Sequence, residues 1–188
     1  MPLVMISGCS GGGKSSLLAE LARRGHAIVT EPGRRVVEAE LAGDGANLPW
    51  VDLAGFAREA LRLAVADHRA ARQSRGQVFF DRGIADAALA LQSTGGGVAA
   101  LGLARRLRYD RLVFLTPPWP AIYGRDSARR HGFEVAVAEY RRLVRGYPRL
   151  GYRVELLPRI GIKARADWLL ARLALRGAEQ GRKTHETA

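Results

Sequence analysis

A glycine-rich stretch near the start of the chain constrains the fold more than any other feature of the sequence. It reads ISGCSGGGKSS over residues 6–16 and contains four glycines. Four hydrophobic residues precede it, and leucines at helical spacing follow it, so the stretch lies between a predicted strand and a predicted helix. In that position a glycine loop can turn several backbone N–H groups toward one anion.

Within this stretch, Gly8, Gly13, Lys14 and Ser15 fit the G-x-x-x-x-G-K-[ST] pattern of the phosphate-binding loop. We expect Lys14 to reach the β- and γ-phosphates of ATP and the Ser15 hydroxyl to bind Mg²⁺. We also expect glycine to be required because a Cβ atom would collide with the phosphate. The predicted cofactors are therefore ATP and Mg²⁺. The predicted nucleotide-binding set is Gly8, Ser10, Gly11, Gly12, Gly13, Lys14, Ser15 and Ser16.

The size and composition of the chain favour a single soluble domain. With 188 residues, 47% of them hydrophobic, the chain can bury a core without disulfides. We expect the domain to cover residues 1–176 and a disordered tail to begin at Gly177. The only cysteine, Cys9, cannot form an internal disulfide, and we interpret it as a small residue in a tight loop. No basic leader or long apolar run is present, so a cytoplasmic protein that does not contact membranes is expected.

The net charge of +12 is compatible with binding nucleic acid, a membrane surface or anionic small molecules. The arginines of the chain are scattered along the predicted helices and do not form one basic tract. This distribution favours exposed helix faces over a nucleic-acid surface. The expected partner is a small-molecule acceptor. Nucleic acid is disfavoured but stays open, as does a homodimer.

Further strands are predicted at residues 26–30, 77–81, 111–116 and 152–158, with helical patterns between them. The longest helical pattern covers residues 50–75, and residues 93–100 are predicted as a loop between helices. Strands that alternate with helices predict a parallel sheet covered by helices on both faces. Ligands of such sheets bind beyond the carboxyl ends of the strands, so the residues that follow each strand are the candidates for function.

Glu31 follows the second predicted strand, where it could accept the proton of a substrate hydroxyl. Alternatively, it caps the positive end of the next helix. Arg34 and Arg35 enter that helix, and they could bind an acceptor phosphate if the acceptor is a monophosphate. Trp50, at the start of the longest helical pattern, is an aromatic candidate for an acceptor pocket. For Phe56 on the same helix we favour packing in the core.

Asp81 is the last residue of the third predicted strand, at the place of a carboxylate that holds Mg²⁺, and Arg82 comes next. ATP-hydrolysing motors usually have a second acidic residue at the position of Arg82. A basic residue there argues for transfer to an acceptor rather than for a dedicated hydrolase. The alternative is a structural ion pair between the two residues at a helix start.

Arginines also follow the fourth predicted strand, in the segment YGRDSARR. Arg125 and Arg129 would lie one turn apart on a helix, with Arg130 beside them. They could close over the triphosphate as a lid and stabilise charge in the transition state. Ordinary exposed arginines are the alternative interpretation. Residues 156–159 lie at the end of the fifth predicted strand and would border the adenine of a bound nucleotide.

Taken together, the segments GCSGGGKSS, EPG, DRG and YGRDSARR resemble the thymidylate kinase and deoxynucleoside kinase group of P-loop phosphotransferases. The chain is most similar to the bacterial "AAA family ATPase" domain family, which is itself similar to ribosylnicotinamide kinase domains. The resemblance implies a five-stranded parallel sheet in the order 2-3-1-4-5, ATP and Mg²⁺ as donor, and an acceptor under an arginine-bearing lid. It also implies that Glu31 is the base and that Asp81 and Arg82 handle metal and phosphate.

The chain departs from thymidylate kinases after EPG, where it reads RRVVEAE and lacks their thymidine-pocket motif. The identity of the acceptor therefore does not transfer. The leading hypothesis is an ATP-dependent kinase of a nucleoside-like or nucleotide-like acceptor, with the hydroxyl and phosphate cases both open. A nucleotide-responsive regulatory module and a plain ATPase are the alternatives. The kinase hypothesis predicts five catalytic residues, which are Lys14, Glu31, Asp81, Arg125 and Arg129.

Overall fold

The computed structural model describes residues 2–124 and 132–185, with side chains up to residue 176. Its sheet contains five strands, all parallel, in the order β2-β3-β1-β4-β5. The strands are β1 (Leu3–Gly8), β2 (Ala27–Val29), β3 (Val78–Asp81), β4 (Leu112–Thr116) and β5 (Arg153–Leu156). The predicted fold class and strand order are therefore confirmed.

Helices cover both faces of the sheet. They are α1 (Lys14–Arg23), α2 (Pro32–Ala42), α3 (Leu53–Ala71), α4 (Ile84–Ser93), α5 (Val98–Arg106), α6 (Phe133–Arg149) and α7 (Ile162–His185), with a short 3₁₀ helix at Pro120–Ile122. Alternate residues of β1 face opposite ways. Val4 and Ile6 pack with α1 and α7 in one core cluster, whereas Leu3 and Met5 pack with α3, α4, α5 and α6 in another.

Three helix boundaries differ from the sequence prediction. Helix α3 starts at Leu53, inside the predicted span, because the carboxylate of Asp52 accepts a hydrogen bond from the Ala54 N–H at 2.9 Å and caps the helix. Helix α5 starts at Val98, within a segment predicted as loop. Helix α7 continues through Gly177 to His185. The assignment of residues 177–188 to a tail outside the domain stays a prediction.

The register of the sheet brings the candidate residues to one edge. Ile6 pairs with Asp81, and Gly8 pairs with Thr116. The start of the glycine loop therefore lies between the carboxyl ends of β3 and β4, which is where ligands of parallel sheets bind. None of the helices in residues 2–124 and 132–185 combines the length and the apolar character that a membrane span needs.

Candidate active site

The glycine loop connects β1 to α1 and packs directly against the end of β4. The Cys9 N–H donates to the Thr116 carbonyl oxygen at 2.9 Å. Gly8 has a φ of +109°, and a Cβ atom there would contact the Thr116 backbone. A Cβ atom on Gly12 would lie 2.6 Å from Thr116 Oγ1. Thr116 therefore excludes a Cβ atom at Gly8 and Gly12, and the collision with a phosphate stays a prediction.

Lys14 and Ser15 open helix α1 beside Asp81. The Lys14 side chain is buried, with Nζ 3.4 Å from the Cys9 carbonyl oxygen and 3.9 Å from Asp81 Oδ1. The Ser15 hydroxyl donates to Asp81 Oδ2 at 3.3 Å. Asp81 Oδ1 is buried and accepts no hydrogen bond. A hydroxyl and a carboxylate with an unsatisfied oxygen are the hard oxygen ligands that Mg²⁺ prefers, so these residues fit that ion.

Few protein side chains are available to bind Mg²⁺ at this site. Across the described part of the chain, no group of three or more histidine, cysteine, aspartate or glutamate side chains could hold a metal ion. Mg²⁺ usually takes one or two carboxylates and completes its shell with water and substrate phosphates, so this small ligand set suits it.

Burial controls the charge of Asp81. Loss of solvent raises the pKa of its carboxyl from 3.8 to about 6. The nearby Lys14 ammonium opposes this shift in the pKa, while the Glu31 carboxylate adds to it. Asp81 is thus an anion at neutral pH whose ionised form is destabilised until a further cation joins it.

Arg82 is the central residue at the end of β3. Its φ of 61° is in the left-handed region, which a non-glycine side chain rarely adopts, and its guanidinium is buried. The guanidinium donates through Nη2 to the Gly8 carbonyl oxygen at 3.0 Å. Its other contacts are ion pairs with Glu31 (3.0 Å), Glu139 (3.0 Å) and Asp86 (3.3 Å).

The charges around Arg82 keep it protonated. Burial by itself would lower the pKa of the guanidinium, but the carboxylates of Glu139, Glu31 and Asp86 outweigh burial and raise that pKa well above its usual value. The expected alternative, a simple ion pair between Asp81 and Arg82, does not describe this geometry. Arg82 instead connects the glycine loop with α2, α4 and α6.

The carboxylate of Asp86 is one of the partners of Arg82 and is itself fixed by several hydrogen bonds. This carboxylate is buried and accepts hydrogen bonds from the Ser7 hydroxyl, from the Gly83 N–H at 2.9 Å and from the Tyr147 hydroxyl at 2.7 Å. The same carboxylate receives Arg82 Nη1. A carboxylate with this many donors stays fixed, so it holds the guanidinium in one position.

Glu31 occupies the N-cap position of α2, yet its side chain does not cap the helix. Its Oε1 lies 3.0 Å from Arg82 Nε, and about a quarter (25%) of the side chain is exposed. Both interpretations from the sequence therefore stand, because Glu31 lies at the positive end of α2 and its carboxylate also contacts Arg82. The carboxylate faces the open side of the sheet edge next to Arg82.

A cavity of about 520 Å³ opens beside Glu31 and reaches Ser10 of the glycine loop. One part of its wall is apolar, with Val37, Trp50, Leu53, Phe56, Ala60 and Val135. The other part carries charged side chains, namely Glu31, Arg34, Arg82, Asp86, Glu139 and Arg142. An apolar pocket with a few convergent polar groups is the usual form of a small-molecule site.

Most of the predicted acceptor residues meet in this cavity. Glu31, Arg34, Trp50 and Arg82 all line it. Arg35 does not, because its guanidinium forms an ion pair with Asp67 of α3. Phe56 packs against the core, as expected, and also lines the cavity. The predicted lid arginines, Arg125, Arg129 and Arg130, lie outside the described residues.

Sequence reasoning did not find Asp86, Glu139 or Arg165. A signal existed for Asp86, which is three residues after Gly83 at the start of α4, where an acidic residue commonly bonds back to the helix start. Glu139 lies in the middle of α6, among many other charged residues, and nothing in the local pattern distinguishes it. Arg165 contacts Gly12, 153 positions away in the sequence, and no local pattern marks it either.

The sequence matches the family model described as an AAA domain over residues 3–165. The chain belongs to the AAA-domain family. No curated protein is a match for the sequence. The family assignment agrees with the predicted similarity to "AAA family ATPase" domains, and the matched range contains the glycine loop, Glu31, Asp81 and Glu139.

Solved structures similar to this AAA-domain chain include three of deoxyadenosine kinase from M. mycoides. The structure with bound dATP has a TM-score of 0.68 at 16% identity and covers 91% of this chain and 98% of its own. Those with the products dCMP and a flexible dCDP, and with dCTP, have TM-scores of 0.58 and 0.56 at 15% identity, with the same coverage. The predicted resemblance to the deoxynucleoside kinase group is confirmed for the fold.

Proposed function

We propose that this chain is an ATP-dependent phosphotransferase that phosphorylates a hydroxyl of a small, uncharged, nucleoside-like acceptor. One observation carries the proposal. The carboxylate of Glu31 lies in a cavity that also touches Ser10 of the phosphate-binding loop, and a buried arginine holds that carboxylate in place. A base, an acceptor pocket and a donor loop are therefore next to one another.

The donor side rests on the glycine loop, Lys14, Ser15 and Asp81. Lys14 Nζ lies within the loop, close to the Cys9 carbonyl oxygen, where it can neutralise a bound phosphate. Ser15 and Asp81 would hold Mg²⁺. When bound, this ion would neutralise charge on the transferring phosphoryl group.

The engagement of Arg82 favours a hydroxyl over a phosphate as the acceptor group. The Arg82 guanidinium already contacts three carboxylates and the Gly8 carbonyl oxygen. An acceptor phosphate would have to compete with these four partners for it. In the same wall the carboxylates of Glu31, Asp86 and Glu139 balance the guanidinium groups of Arg34, Arg82 and Arg142, so the cavity wall has no excess of positive charge to attract an anionic acceptor.

The apolar wall favours an acceptor with a flat ring. Trp50 and Phe56 present aromatic surface to the cavity, and aliphatic side chains complete that side. The deoxyadenosine kinase structures, which contain dATP, dCTP and dCMP, support a nucleoside-like acceptor by analogy of fold.

In the proposed reaction the acceptor oxygen forms a bond to the γ-phosphorus of ATP, and the bond from that phosphorus to the β,γ-bridging oxygen breaks. The hydroxyl proton passes to Glu31, and ADP leaves. Arg82 orients the Glu31 carboxylate through the contact at 3.0 Å. Asp86 holds Arg82 through the contact at 3.3 Å.

The test is a screen for acceptor-dependent ADP release, with nucleosides and other uncharged ring alcohols in one arm and nucleoside monophosphates in the other. We expect turnover only in the first arm. For the acceptor found, Glu31→Gln should lower kcat by about 10²–10⁴-fold and leave the acceptor KM nearly unchanged. Glu38→Gln is the matched control, because Glu38 is exposed on the same helix, and it should behave as wild type.

Three results would contradict the proposal. Turnover of monophosphates alone would reverse the acceptor assignment. ADP release that no acceptor stimulates would indicate a plain ATPase. Nucleotide binding without any turnover would indicate a regulatory module.

A further inference from the structure

A buried arginine, Arg165, contacts the phosphate-binding loop but does not line the acceptor cavity. It lies in the first turn of α7, and its side chain is fully buried. Nη1 donates to the Gly12 carbonyl oxygen at 2.9 Å, and Nε donates to the Pro158 carbonyl oxygen at 3.0 Å. The guanidinium Cζ lies 4.9 Å from the centroid of the Trp119 ring. Arg165 thus joins the loop after β1 to those after β4 and β5.

The charge of Arg165 has no anionic partner in the described part of the chain. None of the carboxylates there forms an ion pair with it, and its Nη2 is buried without a hydrogen-bond partner. Burial lowers the pKa of the guanidinium. An unpaired buried cation destabilises a protein, so its place beside a loop that suits anions calls for a role other than packing.

The contact with Gly12 fixes the direction of one peptide group. The bond between Gly12 and Gly13 is trans, because the described residues contain no cis peptide. In a trans peptide, the carbonyl and the following N–H point in opposite directions. Because Arg165 holds the Gly12 carbonyl, it determines where the Gly13 N–H points, and no backbone carbonyl of the described residues accepts from that N–H.

We propose that Arg165 is a positioning residue for the donor phosphates, holding the Gly12 carbonyl so that the Gly13 N–H points at the bound anion. The hydrogen bond from a cation also polarises the peptide and makes its N–H a better donor. The inference rests on the proposed function only in that a polyphosphate binds at the loop. It requires neither a nucleobase nor an acceptor.

The experiment measures binding of ATP and of inorganic tripolyphosphate, both with Mg²⁺, by calorimetry. Arg165→Met removes the charge and keeps an apolar side chain of similar length under Trp119. We expect it to weaken both ligands by a similar factor of about tenfold, because a charge-assisted hydrogen bond is lost. Arg165→Lys keeps the charge and should recover most of the affinity for both ligands. A merely structural role would not give this pattern.

The matched control is Arg172→Met, which removes the same charge from the same helix. Arg172 pairs with Glu155 through Nη2 at 2.6 Å, away from the loop. The Arg172→Met variant should bind ATP and tripolyphosphate as tightly as the wild type does. Its behaviour separates a local effect at Gly12 from a change in net charge.

Unchanged affinity of a folded Arg165→Met for tripolyphosphate would overturn the inference, and so would a loss confined to ATP, which would place Arg165 at the nucleobase. If Arg165→Met does not fold, the affinity of Arg165→Lys decides the question. An affinity near that of the wild type supports the inference. A loss of affinity as large as that caused by Lys14→Ala, which removes the lysine of the loop, overturns it. If the wild type binds neither ligand, both this inference and the proposed function fail. Tight binding without any transfer to a hydroxyl would refute only the proposed function.

Discussion

Replacing Asp81 by asparagine should stabilise the ligand-free protein at neutral pH while removing the Mg²⁺ ligand that we propose. Burial raises the pKa of Asp81 from 3.8 to about 6, so above pH 6 the folded state holds an anion that the unfolded chain holds more favourably. Asparagine has the shape of the protonated side chain and lacks this cost. The residue that we assign to Mg²⁺ therefore lowers the stability of the empty protein.

The magnitude follows from the two pKa values. A shift from 3.8 to about 6 is about two units, and at 1.36 kcal/mol per unit the ionised carboxylate costs about 3 kcal/mol of unfolding free energy. Because the pKa is raised on folding, the folded state binds more protons between these values. The free energy of unfolding therefore has its full value below about pH 4, where Asp81 is protonated, and it falls as the pH rises through about 6.

The assay is urea denaturation of wild type and Asp81→Asn between pH 4 and pH 8 in the presence of a chelator. We expect the variant to be more stable by up to about 3 kcal/mol at pH 8, with the difference vanishing toward pH 4. Glu20→Gln is a control of opposite sign, because hydrogen bonds from Arg23 and Arg24 hold the pKa of Glu20 below its usual value. An Asp81→Asn variant that is no more stable than wild type at pH 8 would refute the reasoning.

Three further predictions concern the loop, the arginine anchor and the lid. Gly8→Ala should lose about 1–3 kcal/mol of stability from its positive φ alone, whereas Gly76→Ala, with open space around its Cβ, should be nearly neutral in the same denaturation assay. Asp86→Asn should leave ATP affinity unchanged and lower kcat by about tenfold, because Arg82 loses a charged hydrogen-bond partner; equal kcat would show that Asp86 does not hold the arginine in place. Arg125→Ala and Arg129→Ala should fold normally and lower turnover at least about tenfold in steady-state assays, and normal turnover in both would remove the lid assignment.

The phosphate-binding loop could be predicted because all of its parts are consecutive in the sequence. Glycines, Lys14 and Ser15 occupy fixed positions between a strand and a helix, and their spacing already specifies the local backbone. Glu31 and Asp81 could be placed at the sheet edge for a similar reason, since Glu31 comes after a strand and Asp81 ends one. The alternation of strands and helices indicated a parallel sheet, whereas the order of its strands came from the resemblance to known kinases.

Contacts between distant elements depended on the tertiary structure. The sequence placed Arg34 and Arg35 side by side, but the rotation of α2 sends Arg34 to the cavity and Arg35 to Asp67. Spacing along one helix gives the angle between its side chains, and only packing against the sheet and α3 decides which of them faces the cavity.

The partners of Arg82 and Arg165 show the same limit. Arg82 meets Glu139 of α6, and Arg165 meets Gly12 from 153 positions away. Each arginine resembles the many exposed arginines of the chain until the folded sheet brings several elements to one edge. The sequence by itself determined the glycine loop and the residues at the strand ends. The tertiary structure determined which of the chain's charged groups surround them, because that depends on the register and packing of elements far apart in the chain.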